Sequence, residues 1–267
     1  MAEESANCET CWAKYAKAGH VRQSPVQAPM GDLAVGTKFK ENYDSYYDGE
    51  SEWRALGAID KVRNVQSLCN DVPHTTVLDV GSGEGSLLKR LSDLNFGQDL
   101  YSVEISQSAV TTILQRDIPR LRECQLFDGY HIPYADRRFD LAIISHVLEH
   151  VEYPRQLLRE AARVARHVFV EVPLEDTIRL TGDYVFNRVG HINFYSWKTI
   201  RRLIQTCDLK VLSQTVTNPS RSVYEYTSGR GGVVKYAVKY FMLRASTRIA
   251  ASLFTYHCSI LCAKPSE

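Results

Sequence analysis

Nowhere does the chain run apolar and charge-free for long enough to span a bilayer, so no integral membrane segment is expected. Its first residues, Met1-Ala2-Glu3-Glu4-Ser5, are acidic and lead into no apolar stretch, which argues against a secretory leader. Charge of either sign is not in excess: 32 Lys and Arg against 31 Asp and Glu leave a formal +1. With no basic strip interleaved by aromatics, nucleic acid is not expected as a partner. A disulfide framework is also missing. The seven cysteines, an odd number, are scattered through apolar and loop stretches, which fits reduced thiols in the cytoplasm. Cys8-Glu9-Thr10-Cys11 is a lone C-x-x-C with His20 beyond it. Without a second pair it does not complete a tetrahedral zinc site, so no metal is expected. The chain has neither an internal repeat nor a low-complexity block.

What is present suffices for a substantial core. At 267 residues, 44% hydrophobic and 24% charged, the chain suits one α/β domain with additions. Residues 1–36 show no sustained period, and Pro25, Pro29 and Gly31 mark them as a loosely attached N-terminal arm. Residues 37–72 read as an N-terminal helical cap. Tyr43, Tyr46, Tyr47 and Trp53 cluster there, and Trp53, Leu56, Ile59, Val62, Val65 and Leu68 recur near helical spacing. Such aromatics either pack the cap down or turn a face toward a cationic ligand.

Residues 73–267 read as the core, with a helical insert at about 218–253. Short apolar runs alternate with helical patterns: Val77–Val80, Leu100–Glu104, Cys124–Phe127, Phe139–Ser145 and His167–Val172 read as strands. This alternation predicts a doubly wound parallel sheet. Leu209–Thr217 and Phe254–Ala263 complete the strands, and Ser196 is placed to cap a helix running through Trp197, Ile200 and Ile204. Val233–Leu253 carries an apolar stripe (Val234, Ala237, Val238, Phe241, Ala245, Ile249) beside Lys235, Lys239, Arg244 and Arg248. The ordinary expectation is that the stripe packs on its own domain; a roof over an acceptor pocket and a membrane-surface face are the alternatives.

The densest chemistry lies at Val77-Leu78-Asp79-Val80-Gly81-Ser82-Gly83-Glu84-Gly85, with Leu87, Leu88, Leu91 and Leu94 following at helical spacing. The glycines let the backbone turn sharply and approach a ligand, and the N–H groups of the helix start face it. The second strand ends in Glu104, about twenty residues on, the interval expected between a nucleotide loop and a ribose-binding acid. Its two oxygens can take both ribose hydroxyls. Asp128 after the third strand can accept from an adenine amine, and Gly129 admits the base edge. A nicotinamide-type G-x-G-x-x-G loop would carry its third glycine where Ser86 stands; here it is Gly85.

Taken together, Val77–Gly85, Glu104, Asp128-Gly129, Phe139-Asp140, His146-Val147-Leu148-Glu149-His150-Val151 and Gly190-His191-Ile192-Asn193-Phe194-Tyr195-Ser196 resemble a known family. It is that of class I S-adenosylmethionine-dependent methyltransferases, of the small-molecule type. The likeness covers roughly Thr75 to Cys207. It implies an α/β, Rossmann-like doubly wound sheet, mostly parallel with an antiparallel last strand, and S-adenosyl-L-methionine as cofactor. It implies the cofactor's methionine end and ribose beside Asp79, Gly81, Ser82 and Gly83, and the ribose diol on Glu104. The adenine would lie near Asp128 and Gly129, with Ser145 and His146 bordering cofactor and acceptor. The expected activity is methyl transfer to an O, N or C nucleophile of a small-molecule acceptor. A protein acceptor, or a non-catalytic subunit of the same fold that activates a partner, are the alternatives. Such a reaction needs alignment and, for a protonated acceptor, a base. His191 and His146 are the candidates. His150 is expected deeper in a helix start and structural, and Glu149 to orient a neighbour or cap that helix.

Overall fold

A computed structural model describes residues 51–183 and 190–265. The arm, Cys8, Cys11 and the tyrosines Tyr43, Tyr46 and Tyr47 lie outside the described residues. In chain order the elements are α1 (Ser51–Cys69), β1 (Thr76–Val80), α2 (Ser86–Asp93), β2 (Asp99–Glu104), α3 (Gln107–Gln115), β3 (Leu121–Leu126), β4 (Phe139–Ser145) and α4 (Pro154–Val164). There follow β5 (Ala165–Pro173), α5 (Trp197–Gln205), β6 (Lys210–Thr217), α6 (Arg221–Ser228), α7 (Arg230–Ala245), α8 (Thr247–Leu253) and β7 (His257–Ala263).

Among the described residues, seven strands form one sheet in the order β3-β2-β1-β4-β5-β7-β6. β1 pairs in parallel with β2 and β4, β2 with β3, and β4 with β5. β7 runs antiparallel to both β5 and β6. This is the Rossmann-like sheet with an antiparallel last strand. Strand order reverses between β1 and β4, and a parallel sheet opens a crevice at the carboxyl ends of strands flanking such a reversal. β1 and β4 sit centrally because they are apolar on both faces: Val77, Leu78, Val80, Leu141, Ile143 and Ile144 have no exposed surface.

α1 shares this core. Its Val62, Val65 and Cys69 pack in one cluster with Val77, Leu88, Leu91, Ile143 and Phe169. The side chain of Ser196 accepts from Thr199 N–H and starts α5, as its position predicts. Leu94 departs from the expected stripe of α2. It lies past the helix end and is 53% exposed, while Leu87, Leu88 and Leu91 carry the buried face.

The segment expected as one amphipathic helix at 233–253 is broken into α7 and α8, and α6 precedes them. Its stripe does not pack inward: Val234, Val238, Phe241 and Ile249 are exposed, and Lys239 is buried instead. The reason is local. Lys239 Nζ donates to the Thr255 carbonyl at 2.6 Å and lies over the rings of Tyr224 and Tyr256, which turns the opposite face of α7 outward. No helix among the described residues is long and apolar enough to cross a membrane.

Candidate active site

Where β1 ends, the chain turns through Gly81, Gly83 and Gly85, all in the left-handed region at φ 73°, 56° and 81°. Gly81 is required for a second reason: an added Cβ would lie 2.7 Å from Val147 Cγ2. The turn is tied to its neighbour strand. Gly81 N–H donates to the Val103 carbonyl at 2.8 Å and Gly83 N–H to Glu104 Oε2 at 2.7 Å. Glu104 is almost wholly buried and also accepts from the N–H groups of Ile105 at 2.8 Å and Ser106 at 3.2 Å. After β3, Asp128 Oδ1 accepts from the N–H groups of Tyr130 and His131 at 2.8 and 2.7 Å, closing a tight loop around Gly129.

Asp79 sits under the turn. It is buried, its Oδ2 has no hydrogen-bond partner, and burial pushes its carboxyl from 3.8 up to about 7 against the pull of Lys61. A buried carboxylate oxygen left without a donor is costly, and a cationic ligand group would relieve it.

A cleft of about 380 Å³ opens at this sheet edge. Gly81, Ser82, Gly83 and Glu84 form one side, and Ser145, His146, Glu149 and His150 after β4 form the next. Trp53, Arg54 and Lys61 of α1, Glu175, His191, the insert residues Pro219 and Val223, and His257 close it. Of the residues expected to hold a cofactor, Gly81, Ser82, Gly83, Ser145 and His146 line the cleft, and Asp79, Glu104, Asp128 and Gly129 stand outside its wall. Both expected bases, His146 and His191, line it. Residues invisible to pattern reasoning hold the lid elements. Arg54 Nε pairs with Glu84 Oε2 at 3.1 Å, and Ser220 N–H donates to Asp60 Oδ2 at 2.7 Å, fastening α1 to the glycine turn and the insert to α1.

The His146–Val151 stretch is a turn, and the helix begins only at Pro154. This corrects the expectation that His150 and Glu149 sit in a helix start: both face the cleft. His146 takes φ 58°, unusual for a residue with a Cβ. Its Nδ1 lies 3.2 Å from Glu149 Oε1 and its Nε2 3.2 Å from Glu171 Oε1. Burial presses the imidazole downward, but the two carboxylates outweigh it and its pKa is raised. Glu171 is fully buried. It accepts from Asn64 Nδ2 at 2.7 Å and Ser259 Oγ at 2.9 Å, and despite burial these surroundings, His146 first, hold it at about 2. Burial, then His146, presses His257 down to about 3, so it is neutral. Beside His150, His191 Nδ1 lies 2.6 Å from Glu175 Oε2, and the His150 and His191 rings stand 4.8 Å apart, centre to centre. The one sequence signal for the missed Glu171 is an acid set inside the apolar run Val168-Phe169-Val170-Glu171-Val172. Glu175 and His257 carry no such signal.

A family profile described as a methyltransferase domain matches residues 51–214. An uncharacterised protein of Methanocaldococcus jannaschii is 28% identical over 134 residues, covering 50% of this chain and 57% of that protein. An uncharacterised protein in a Streptomyces fradiae transposon is 31% identical over 118 residues, 42% of this chain and 34% of that protein. The chain therefore spans little more than half of the first relative and a third of the second. Among solved structures, Haemonchus contortus phosphoethanolamine N-methyltransferase 2, in complex with phosphomonomethylethanolamine and S-adenosylhomocysteine, superposes with TM-score 0.61 at 13% identity, over 87% of this chain and 61% of that one. Geranyl diphosphate C-methyltransferase of Streptomyces coelicolor A3(2), in complex with Mg2+, geranyl diphosphate and S-adenosyl-L-homocysteine, gives 0.60 at 12% identity, over 86% and 100%. The [4+2]-cyclase SpnF gives 0.56 at 16%, over 78% and 81%. These identities speak to the fold alone.

Proposed function

The chain belongs to the methyltransferase-domain family, and from that premise we propose that it transfers a methyl group from S-adenosyl-L-methionine to an O, N or C nucleophile of a small-molecule acceptor. The observation that carries this reading is the glycine turn bonded to Glu104 above the orphaned Asp79 oxygen. Those residues fit the cofactor. Asp79 suits the ammonium of its methionine end, and the turn N–H groups suit its carboxylate and ribose. Glu104 suits the ribose diol because a carboxylate offers two acceptor oxygens to a pair of hydroxyls. Asp128 and Gly129 suit the adenine, and Ser145 and His146 border the junction with the acceptor.

When bound, the cofactor supplies an electrophilic methyl on a cationic sulfur. The chain's own residues align, shield and handle the proton. α1 and the insert wall off water over the cleft. His146, held between two carboxylates, is favoured as an imidazolium and contributes charge rather than basicity. The proton of a protonated acceptor leaves at the Glu175–His191 pair, where the carboxylate orients the ring. We place the reaction in the cytoplasm.

The test incubates the purified chain with methyl-labelled S-adenosylmethionine and small-molecule and protein fractions of a cell extract. Label in a small molecule is the expected result. Label in protein would replace the acceptor class. Donor binding with no labelled product in any fraction would leave a non-catalytic subunit and overturn the enzymatic reading.

A further inference from the structure

One wall of the cleft gathers ligand atoms that the donor does not account for. The donor atoms of Glu149, His150 and His191 all lie within 4.8 Å of one another. Glu149 is fully buried, and no hydrogen bond reaches either of its oxygens. His146 Nδ1 stands 3.2 Å from one of them at ion-pair distance. A buried carboxylate with one ion-pair neighbour and otherwise short of hydrogen-bond donors is expensive. Both histidines are set in one tautomer by what their Nδ1 atoms meet: the Gly190 carbonyl at 3.2 Å for His150 and Glu175 Oε2 at 2.6 Å for His191. With the proton on Nδ1, the lone pair is on Nε2. A carboxylate or carbonyl behind Nδ1 is the usual support of a metal-ligating imidazole.

The frame is rigid as well. Ile192 and Asn193 N–H both donate to the Glu149 carbonyl, at 2.8 and 3.0 Å, and Asn193 Nδ2 donates to the carbonyls of Leu148 and Val151 at 3.0 and 2.6 Å. These bonds fix the His191 loop to the turn after β4, two segments about forty residues apart, as a site of defined geometry requires. A second group, His146, Glu171 and His257, is equally compact. Its carboxylate, however, is already occupied by Asn64, Ser259 and His146.

We propose that Glu149, His150 and His191 bind a divalent cation, Glu175 supporting His191 from behind, with the ion's remaining positions open to the cleft. Two imidazoles and a carboxylate suit Mn2+, Fe2+, Co2+ or Zn2+ better than Ca2+. The use of the ion rests on the methyl-transfer reading and replaces the base role given to His191 there: the ion would hold an oxygen of the acceptor as its anion, the proton having left to water, with His191 as a ligand. Binding of the ion rests on the residues alone.

The test is a Mn2+ titration of the full chain, without donor or acceptor, following loss of the free-ion electron paramagnetic resonance signal. Manganese disfavours thiolates, which removes Cys8 and Cys11 as competitors. One bound ion per chain is expected, with affinity lowered at least about tenfold by E149Q and by H191Q and unchanged by H257Q. Melting curves check folding; should either variant be unfolded, E175Q is read instead, with a loss of about tenfold. No binding by the intact chain, indifference to all three substitutions, or loss in H257Q with retention in H191Q would each overturn the site. Calorimetry with S-adenosylmethionine on the same samples separates the two readings. Donor binding without manganese removes the metal site alone, and manganese binding without donor removes the methyl-transfer reading alone.

Discussion

Replacing Asp79 by Asn should make the ligand-free protein more stable and its grip on the donor weaker. Asp79 titrates at 3.8 in the unfolded chain and at about 7 in the fold, chiefly because it is buried. Between those values the folded state holds more protons than the unfolded state, so stability falls as pH rises through that window. At about 1.36 kcal/mol per unit, the penalty above pH 7 is on the order of 4 kcal/mol, an upper bound because buried sites relax. Asn keeps the shape and removes the charge. Urea unfolding should therefore show the two proteins within about 1 kcal/mol of each other near pH 4, where Asp79 is protonated in the fold and only about half ionised in the unfolded chain. Near pH 8 the variant should be more stable by roughly 2–4 kcal/mol. In the same variant, the thermal stabilisation given by S-adenosylmethionine should shrink. A variant no more stable than the parent near pH 8, or a gap equal at both pH values, would refute the reasoning.

Gly81→Ala places a side chain at φ 73° and 2.7 Å from Val147 Cγ2; the left-handed backbone and the clash together should cost about 2–4 kcal/mol in urea unfolding, and adding Val147→Ala should recover part of it. Glu171→Gln removes a buried carboxylate held at about 2 by its surroundings. A carboxylate with a depressed pKa stabilises above its unfolded value and loses that contribution as pH falls through the folded one. Melting curves should therefore show a loss of about 3 kcal/mol at neutral pH that narrows toward about pH 2. Gly232→Ala drives a Cβ to 2.1 Å from the Tyr224 carbonyl oxygen; it should pry α6 from α7 and cost about 2 kcal/mol or more by urea unfolding.

The sheet was readable because its central strands are uninterrupted apolar runs ended by glycine, acid or proline, signals that are local in the chain. The antiparallel last strand followed from resemblance rather than from pattern. The direction of the α7 stripe was not readable. Lys239 is drawn inward by the Thr255 carbonyl and two rings that belong to other segments, and composition on α7 alone points the other way. The same limit applies to the cleft. Gly81, Ser82 and Gly83 are legible in the glycine motif at the end of β1, and Ser145 and His146, at the end of the neighbouring β4, follow from the family resemblance. Glu175 and His257 reach the cleft, and Glu171 reaches His146 behind its wall, only through the order β4-β5-β7 and the loop after β5, so their company is a property of topology. His150 was assigned to a helix because Leu157, Leu158 and Ala161 carry helical periodicity, but Pro154 opens that helix at its first position and leaves His146–Val151 as a turn.

The most direct measurement is a calorimetric titration of the full chain with S-adenosylmethionine, repeated on Glu104→Ala. One saturable site in the parent, lost in the variant while its melting curve stays cooperative, is the predicted result. Absence of heat in the parent, or an affinity that Glu104→Ala leaves unchanged, would contradict it.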